Sequence, residues 1–92
     1  MNFIHEKNRI YLNDEINHMI AVVTFPQVKE GVVNIEHTYV DNSLRGQGVA
    51  AKLMEEAVAH LRENNLKATL SCSYAVKWFQ DHPEHTDLVE KR

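Results

Sequence analysis

The hydrophobic period of this chain first changes at a pair of glycines. Before that point the apolar residues come in short β-branched runs. After it they recur at Val49, Ala50, Leu53, Met54, Ala57, Val58 and Leu61, the spacing of one helix face. Between the two regimes lies Ser43-Leu44-Arg45-Gly46-Gln47-Gly48-Val49-Ala50, which holds two of the chain's three glycines. A strand that passes into a helix through such a turn ends at unpaired backbone N–H groups and a positive helix dipole. That place can hold an anion, a diphosphate above all. Gly46 and Gly48 allow turn conformations and a close approach, and Arg45 can add a positive charge at the rim. The spacing is not a Walker loop, because no Lys-Ser or Lys-Thr follows the second glycine. It is not GxGxxG either, so on the local pattern alone an ordinary turn remains the simpler reading.

The regions on either side set the order of elements. Arg9 to Leu12 reads as a short strand, with a turn at Asn13-Asp14-Glu15. His18 to Phe25 is apolar on both faces and fits a central strand that Pro26 interrupts. Lys29-Glu30-Gly31 reads as a hairpin turn. Val32 to Val40 then returns as a third strand, with Val33, Ile35, His37 and Tyr39 expected on one face. Asn64-Asn65 closes the long helix, Lys67 to Cys72 fits a fourth strand, and Tyr74 to Asp81 fits a second helix bounded by Pro83. The expected architecture is mixed α/β in the order β-β-β-α-β-α. The first strands are antiparallel, and the third and fourth are parallel because a helix connects them.

Ninety-two residues fit one domain spanning 1–92. The formal charge of −3 and the scatter of the ten Lys and Arg residues argue against nucleic acid as a partner. The longest apolar run, Met19 to Val23, is far too short to cross a membrane, and the N-terminus carries no secretory h-region. A single cysteine, Cys72, permits no internal disulfide and no CxxC metal site, which fits a reducing, cytoplasmic setting. A monomer is expected.

Arg45-Gly46-Gln47-Gly48-Val49-Ala50 resembles the R/Q-x-x-G-x-G/A motif of the GNAT superfamily of N-acetyltransferases. It lies where that family places it, after a strand ending in Tyr39-Val40 and before a helix carrying Leu53 and Met54. The tail Cys72 to His85, with Glu36 to Val40 upstream, is similar to a small stand-alone GNAT-like subfamily. The resemblance covers nearly the whole chain and implies a minimal GNAT-like fold. It implies acetyl-CoA as ligand, with the pyrophosphate on the backbone amides of Arg45, Gly46, Gln47, Gly48, Val49 and Ala50. The pantetheine would run where the third and fourth strands splay apart near Tyr39 and Val40, and an amide near Val40 would polarise the acetyl carbonyl. The chain departs from the family in having no room for the usual helices between its first two strands or for a C-terminal strand pair. Those segments build the acceptor pocket, so the small or protein amine that receives the acetyl group stays open.

Acetyl transfer to an amine needs a deprotonated amine, a donor for the oxyanion and an acid for the leaving thiolate. Cys72, at the end of the fourth strand, is read either as a small buried hydrophobe or as a thiol that takes the acetyl group transiently. Tyr74 follows, and by the resemblance it is the candidate acid. Glu36 and His37 are candidate bases on opposite faces of the third strand. His82-Pro83-Glu84-His85 brings possible metal ligands together, but Pro83 breaks the helical spacing and no further ligands are evident, so no metal is expected. The reading competing with an enzyme is a module that binds acetyl-CoA or CoA without catalysis.

Overall fold

The computed structural model describes residues 1–90. Seven strands and two α-helices follow one another: β1 (Ile4–His5), β2 (Arg9–Asn13), β3 (Met19–Thr24), β4 (Gln27–Lys29), β5 (Val32–Ile35), β6 (His37–Val40), α1 (Val49–Glu63), β7 (Lys67–Leu70) and α2 (Ser73–Asp81). The order is that of the mixed α/β expectation. Two strands were not foreseen: β1 and β4 are two and three residues long, and all their residues are exposed. Burial therefore leaves no hydrophobic pattern in them to read.

The strands form a four-stranded antiparallel sheet, β1-β2-β3-β6, and a three-stranded mixed sheet, β4-β5-β7. β5 and β7 are the parallel pair, running from Val32↔Lys67 to Ile35↔Leu70. The third expected strand is thus two strands in two sheets. The break is at Glu36. Its N–H donates to Thr24 O at 3.1 Å, while His37 is the register partner of the same Thr24. Two residues opposite one is a β-bulge, which bends the strand and shifts its pleat by one.

The shift overturns the expected sharing of faces. Val33 and Ile35 are buried, as an inward face requires. After the bulge His37 and Tyr39 point out, and Thr38 and Val40 take the half-buried positions. The fourth strand also ends earlier than expected. Ser71 and Cys72 lie beyond β7, and the N–H groups of both donate to the Ile35 carbonyl at 3.1 Å. The strands therefore part immediately after Ile35 and Leu70, before Tyr39 and Val40 are reached.

α1 buries Val49, Leu53, Met54, Ala57, Val58 and Leu61, the face its spacing dictates. Burying each of the large side chains is worth about 1.5–3 kcal/mol. They join Ile10, Val23, Phe25 and Ile35 of the sheets, and Trp78 and Phe79 of α2, in one core. The helix ends as Asn64-Asn65 predicts. Asn65 takes φ +54°, Leu66 N–H returns to Leu61 O at 2.8 Å, and Asn65 N–H reaches Arg62 O at 3.4 Å. This left-handed cap satisfies carbonyls that would otherwise be orphaned.

Candidate functional site

The first feature of the site is the start of α1. Gly46 and Gly48 have φ +83° and +69°, a region that L side chains rarely adopt. A Cβ placed on either would meet no atom within 4 Å, so the glycines answer to backbone conformation and leave open space above it. Gly48 is the N-cap, and no side chain caps the helix. The first N–H groups of α1 have no intrahelical partner, and the first such bond runs from Lys52 N–H to Gly48 O at 3.1 Å. They open onto a cleft of about 280 Å³ lined by Val40, Asp41, Asn42, Leu44, Arg45, Gly46, Gly48, Val49, Ala50, Ala51 and Tyr74. Arg45 is exposed at its rim, with Nη2 donating to Asn42 Oδ1 at 3.1 Å.

The second feature is the gap between β6 and the end of β7. Asp41 N–H donates to Ile20 O at 2.8 Å, which fixes the alternation of the β3–β6 ladder. With the register Val22↔Tyr39, Tyr39 is a hydrogen-bonded partner and Thr38 and Val40 are not. The N–H groups of Thr38 and Val40 therefore point the other way, into the gap. An antiparallel edge left unpaired in this manner is a row of donors facing a cleft.

Cys72 lies across this gap, half-buried, with its Sγ 3.5 Å from Thr38 Oγ1. It also occupies the N-cap position of α2. Burial pushes its thiol up, but contacts from the Thr38 hydroxyl and the N–H groups of Ala75, Tyr74 and Thr38 outweigh that and hold it below the usual thiol range. A depressed value favours the thiolate, the form of a cysteine that can act as nucleophile. Tyr74 lines the cleft two residues on, and burial raises its phenol above the ordinary value, which keeps it protonated.

Not every expected residue joins them. Val40, Arg45, Gly46, Gly48, Val49 and Ala50 line the cleft, whereas Tyr39 and Gln47 do not. The bulge at Glu36 turns Tyr39 to the outer face, where its hydroxyl donates to Asp41 Oδ1 at 3.2 Å. Gln47 lies by a second opening with Leu12, Asp14 and Ile20. Glu36 and His37 are both exposed beside the bulge. His82 and His85 stack on Trp78, and His85 Nδ1 lies 3.1 Å from Arg62 Nη2. Sequence reasoning passed over Thr38 and Asp41. The signal for Asp41 was present, because an Asp two residues before Ser43 is an Asx-turn pattern.

Similarity to known proteins adds to this geometry. The sequence model of the GCN5-related N-acetyl-transferase family matches residues 9–88. Protein NATD1 of Mus musculus is 32% identical over 81 residues, covering 86% of this chain and 74% of that protein. Protein NATD1 of Danio rerio is 32% identical over 89 residues, covering 95% and 80%. The solution structure of a GCN5-like protein from Staphylococcus aureus superposes with a TM-score of 0.80 at 35% identity, covering 99% of this chain and 89% of that one. A GNAT-family N-acetyltransferase from Escherichia coli, solved in complex with CoA, shares the fold with a TM-score of 0.60 at 24% identity, over 67% of this chain and 38% of its own. The family match, the relatives and the shared fold agree with the glycine turn and the parted strands: the chain belongs to the GCN5-related N-acetyltransferase family.

Proposed function

We propose that this chain is an acetyl-CoA-dependent N-acetyltransferase that passes the acetyl group through Cys72 to an amine. The observation that carries the reading is the continuity of two features. The uncapped, positive-φ glycine start of α1 opens onto a cleft that also takes in Val40, on the strand edge facing Cys72, and Tyr74, two residues beyond that thiol. The CoA bound by the Escherichia coli relative supports the choice of ligand.

The diphosphate would rest on the N–H groups of Gly46 and of Gly48 to Ala51, with Arg45 at the rim; the Gln47 N–H is already given to Leu44 O. Acetyl-CoA supplies an activated acyl group on a good leaving thiol. The N–H of Val40 would donate to the acetyl oxygen as charge develops on it. Cys72 attacks the acetyl carbon as thiolate, the bond from that carbon to the CoA sulfur breaks, and Tyr74 gives the departing sulfur its proton. The acceptor amine then attacks the acyl-cysteine. Its new C–N bond replaces the C–S bond, Cys72 leaves as thiolate, and the amine's proton returns to Tyr74. The single thiol suits a reducing, cytoplasmic setting.

Mass spectrometry after incubation with acetyl-CoA tests this reading. The expected results are a CoA-bound species under native conditions and one acetyl group on Cys72 after denaturation. Binding without an adduct, and without amine-dependent thiol release, would favour the alternative of a CoA-binding module. No binding would remove both readings.

A further inference from the structure

Asp41 directly follows β6 and lines the cleft in which a diphosphate would rest. A carboxylate there repels the anion, so its charge works against the site and its place calls for another reason. Its hydrogen bonds supply one. Asp41 Oδ2 accepts from Ser43 N–H at 2.9 Å and from Ser43 Oγ at 2.6 Å. Its Oδ1 accepts from the Tyr39 hydroxyl at 3.2 Å. Its own N–H is tied to Ile20 of the sheet at 2.8 Å.

From this anchor the chain turns in three bonded steps: Leu44 N–H to Asp41 O at 3.0 Å, Arg45 N–H to Asn42 O at 3.1 Å, and Gln47 N–H to Leu44 O at 3.2 Å. Those steps deliver Gly46 and Gly48 to their left-handed conformations. We propose that Asp41 is a positioning residue that presets the phosphate turn for coenzyme binding, and that Tyr39 acts on the site through it. The proposal rests on the acetyl-CoA reading above.

The carboxylate matters here as a pair of acceptors rather than as a charge. The Ser43 hydroxyl, and then the Ser43 N–H, hold it below the usual carboxylate range, so it stays ionised throughout the neutral region. Asparagine at the same position could accept from Ser43 through Oδ1 and donate to the Tyr39 oxygen through Nδ2. It would also relieve the repulsion. Alanine can do neither. Preorganisation lost from a binding loop is paid back at binding, as the cost of ordering it.

Calorimetric titration of the full 92-residue chain with CoA tests this. Asp41→Ala is expected to weaken CoA about tenfold, Ser43→Ala and Tyr39→Phe about threefold each, with the unliganded thermal midpoints of all three near that of the parent. Asp41→Asn is expected to recover most of what Asp41→Ala loses, which loss of charge alone would not do. The proposal falls if Asp41→Ala binds like the parent, or if Asp41→Asn is as weak as Asp41→Ala. If Asp41→Ala fails to fold, unchanged affinity in both Ser43→Ala and Tyr39→Phe overturns it. A parent chain that gives no heat with CoA removes the acetyl-CoA reading itself, a separate failure.

Discussion

Both α-helices among the described residues begin without an oxygen side chain as cap, and the cleft at the start of the first also takes in Val40 of β6 and Tyr74 from the first turn of the second. They differ in what their free N–H groups meet. At α1 the cap is a left-handed glycine, no side chain reaches back, and the amides open to a cleft. At α2 the cap is Cys72, which makes no capping hydrogen bond either, but its thiol is near enough for the amides of Ala75 and Tyr74 to lower it. The same electrostatic asset, a positive helix end, is left free for an outside anion in one case and turned on the chain's own thiol in the other. On the proposed function, one helix start would hold the ligand and the other would tune the nucleophile.

The most severe way to break this contrast is Gly48→Glu. It puts a carboxylate where the diphosphate would rest and a Cβ at φ +69°. CoA affinity should fall at least about a hundredfold, or roughly 2.7 kcal/mol. The open space over Gly48 should leave circular dichroism near that of the parent. Unchanged CoA binding would show that the start of α1 is not the anion cradle.

Cys72→Ala tests the other helix start. The acetyl adduct should vanish and amine-dependent turnover should drop at least about tenfold, of order 1.4 kcal/mol in the barrier, while CoA affinity holds within about twofold. Turnover at the parent's rate would mean that the amine attacks the coenzyme directly.

Thr38→Val removes the hydroxyl 3.5 Å from the thiol. The pH midpoint of Cys72 alkylation should then move upward, toward or above that of a free thiol. In the parent the folded thiol titrates below the unfolded one, so the thiolate's contribution to stability is present above the unfolded value of about 8.5 and is lost as pH falls through the lower folded value. An unmoved midpoint in the variant would place the tuning in the helix amides alone.

The smallest effect belongs to Arg45→Ala. An exposed charge at the rim is worth about 0.5 kcal/mol, so CoA should weaken two- to threefold, and less as salt rises. A hundredfold loss would mean that the side chain, rather than the backbone, carries the phosphate.

How far these two helix starts could be read from the residues follows from their physics. The α1 start was legible because three signals coincide there: the end of the strand pattern, the two glycines, and the 3.6-residue spacing from Val49 to Leu61. Cys72 was legible as a candidate thiol at the end of the fourth strand, but its tuning was not, because that depends on Thr38, thirty-four residues away, and on where β7 stops. Tyr39 misled for a definite reason. An aromatic residue in step with Val33 and Ile35 reads as inward-facing, and only the extra residue at Glu36 puts it outside. A bulge of one residue leaves no trace in composition, since it is a choice of register made between strands rather than within one.

That extra residue gives the strand something like a reading frame. Upstream of Glu36 it is Val33 and Ile35 that join the main core, and downstream Thr38 and Val40 are the more buried. Deleting Glu36 would restore a single frame across the bend. It would send His37 and Tyr39 inward and carry Thr38 and Val40, with the partner of the thiol and the amide donors, away from the gap. Between Ile35 and His37 the number of residues therefore matters more to this gap than their identity.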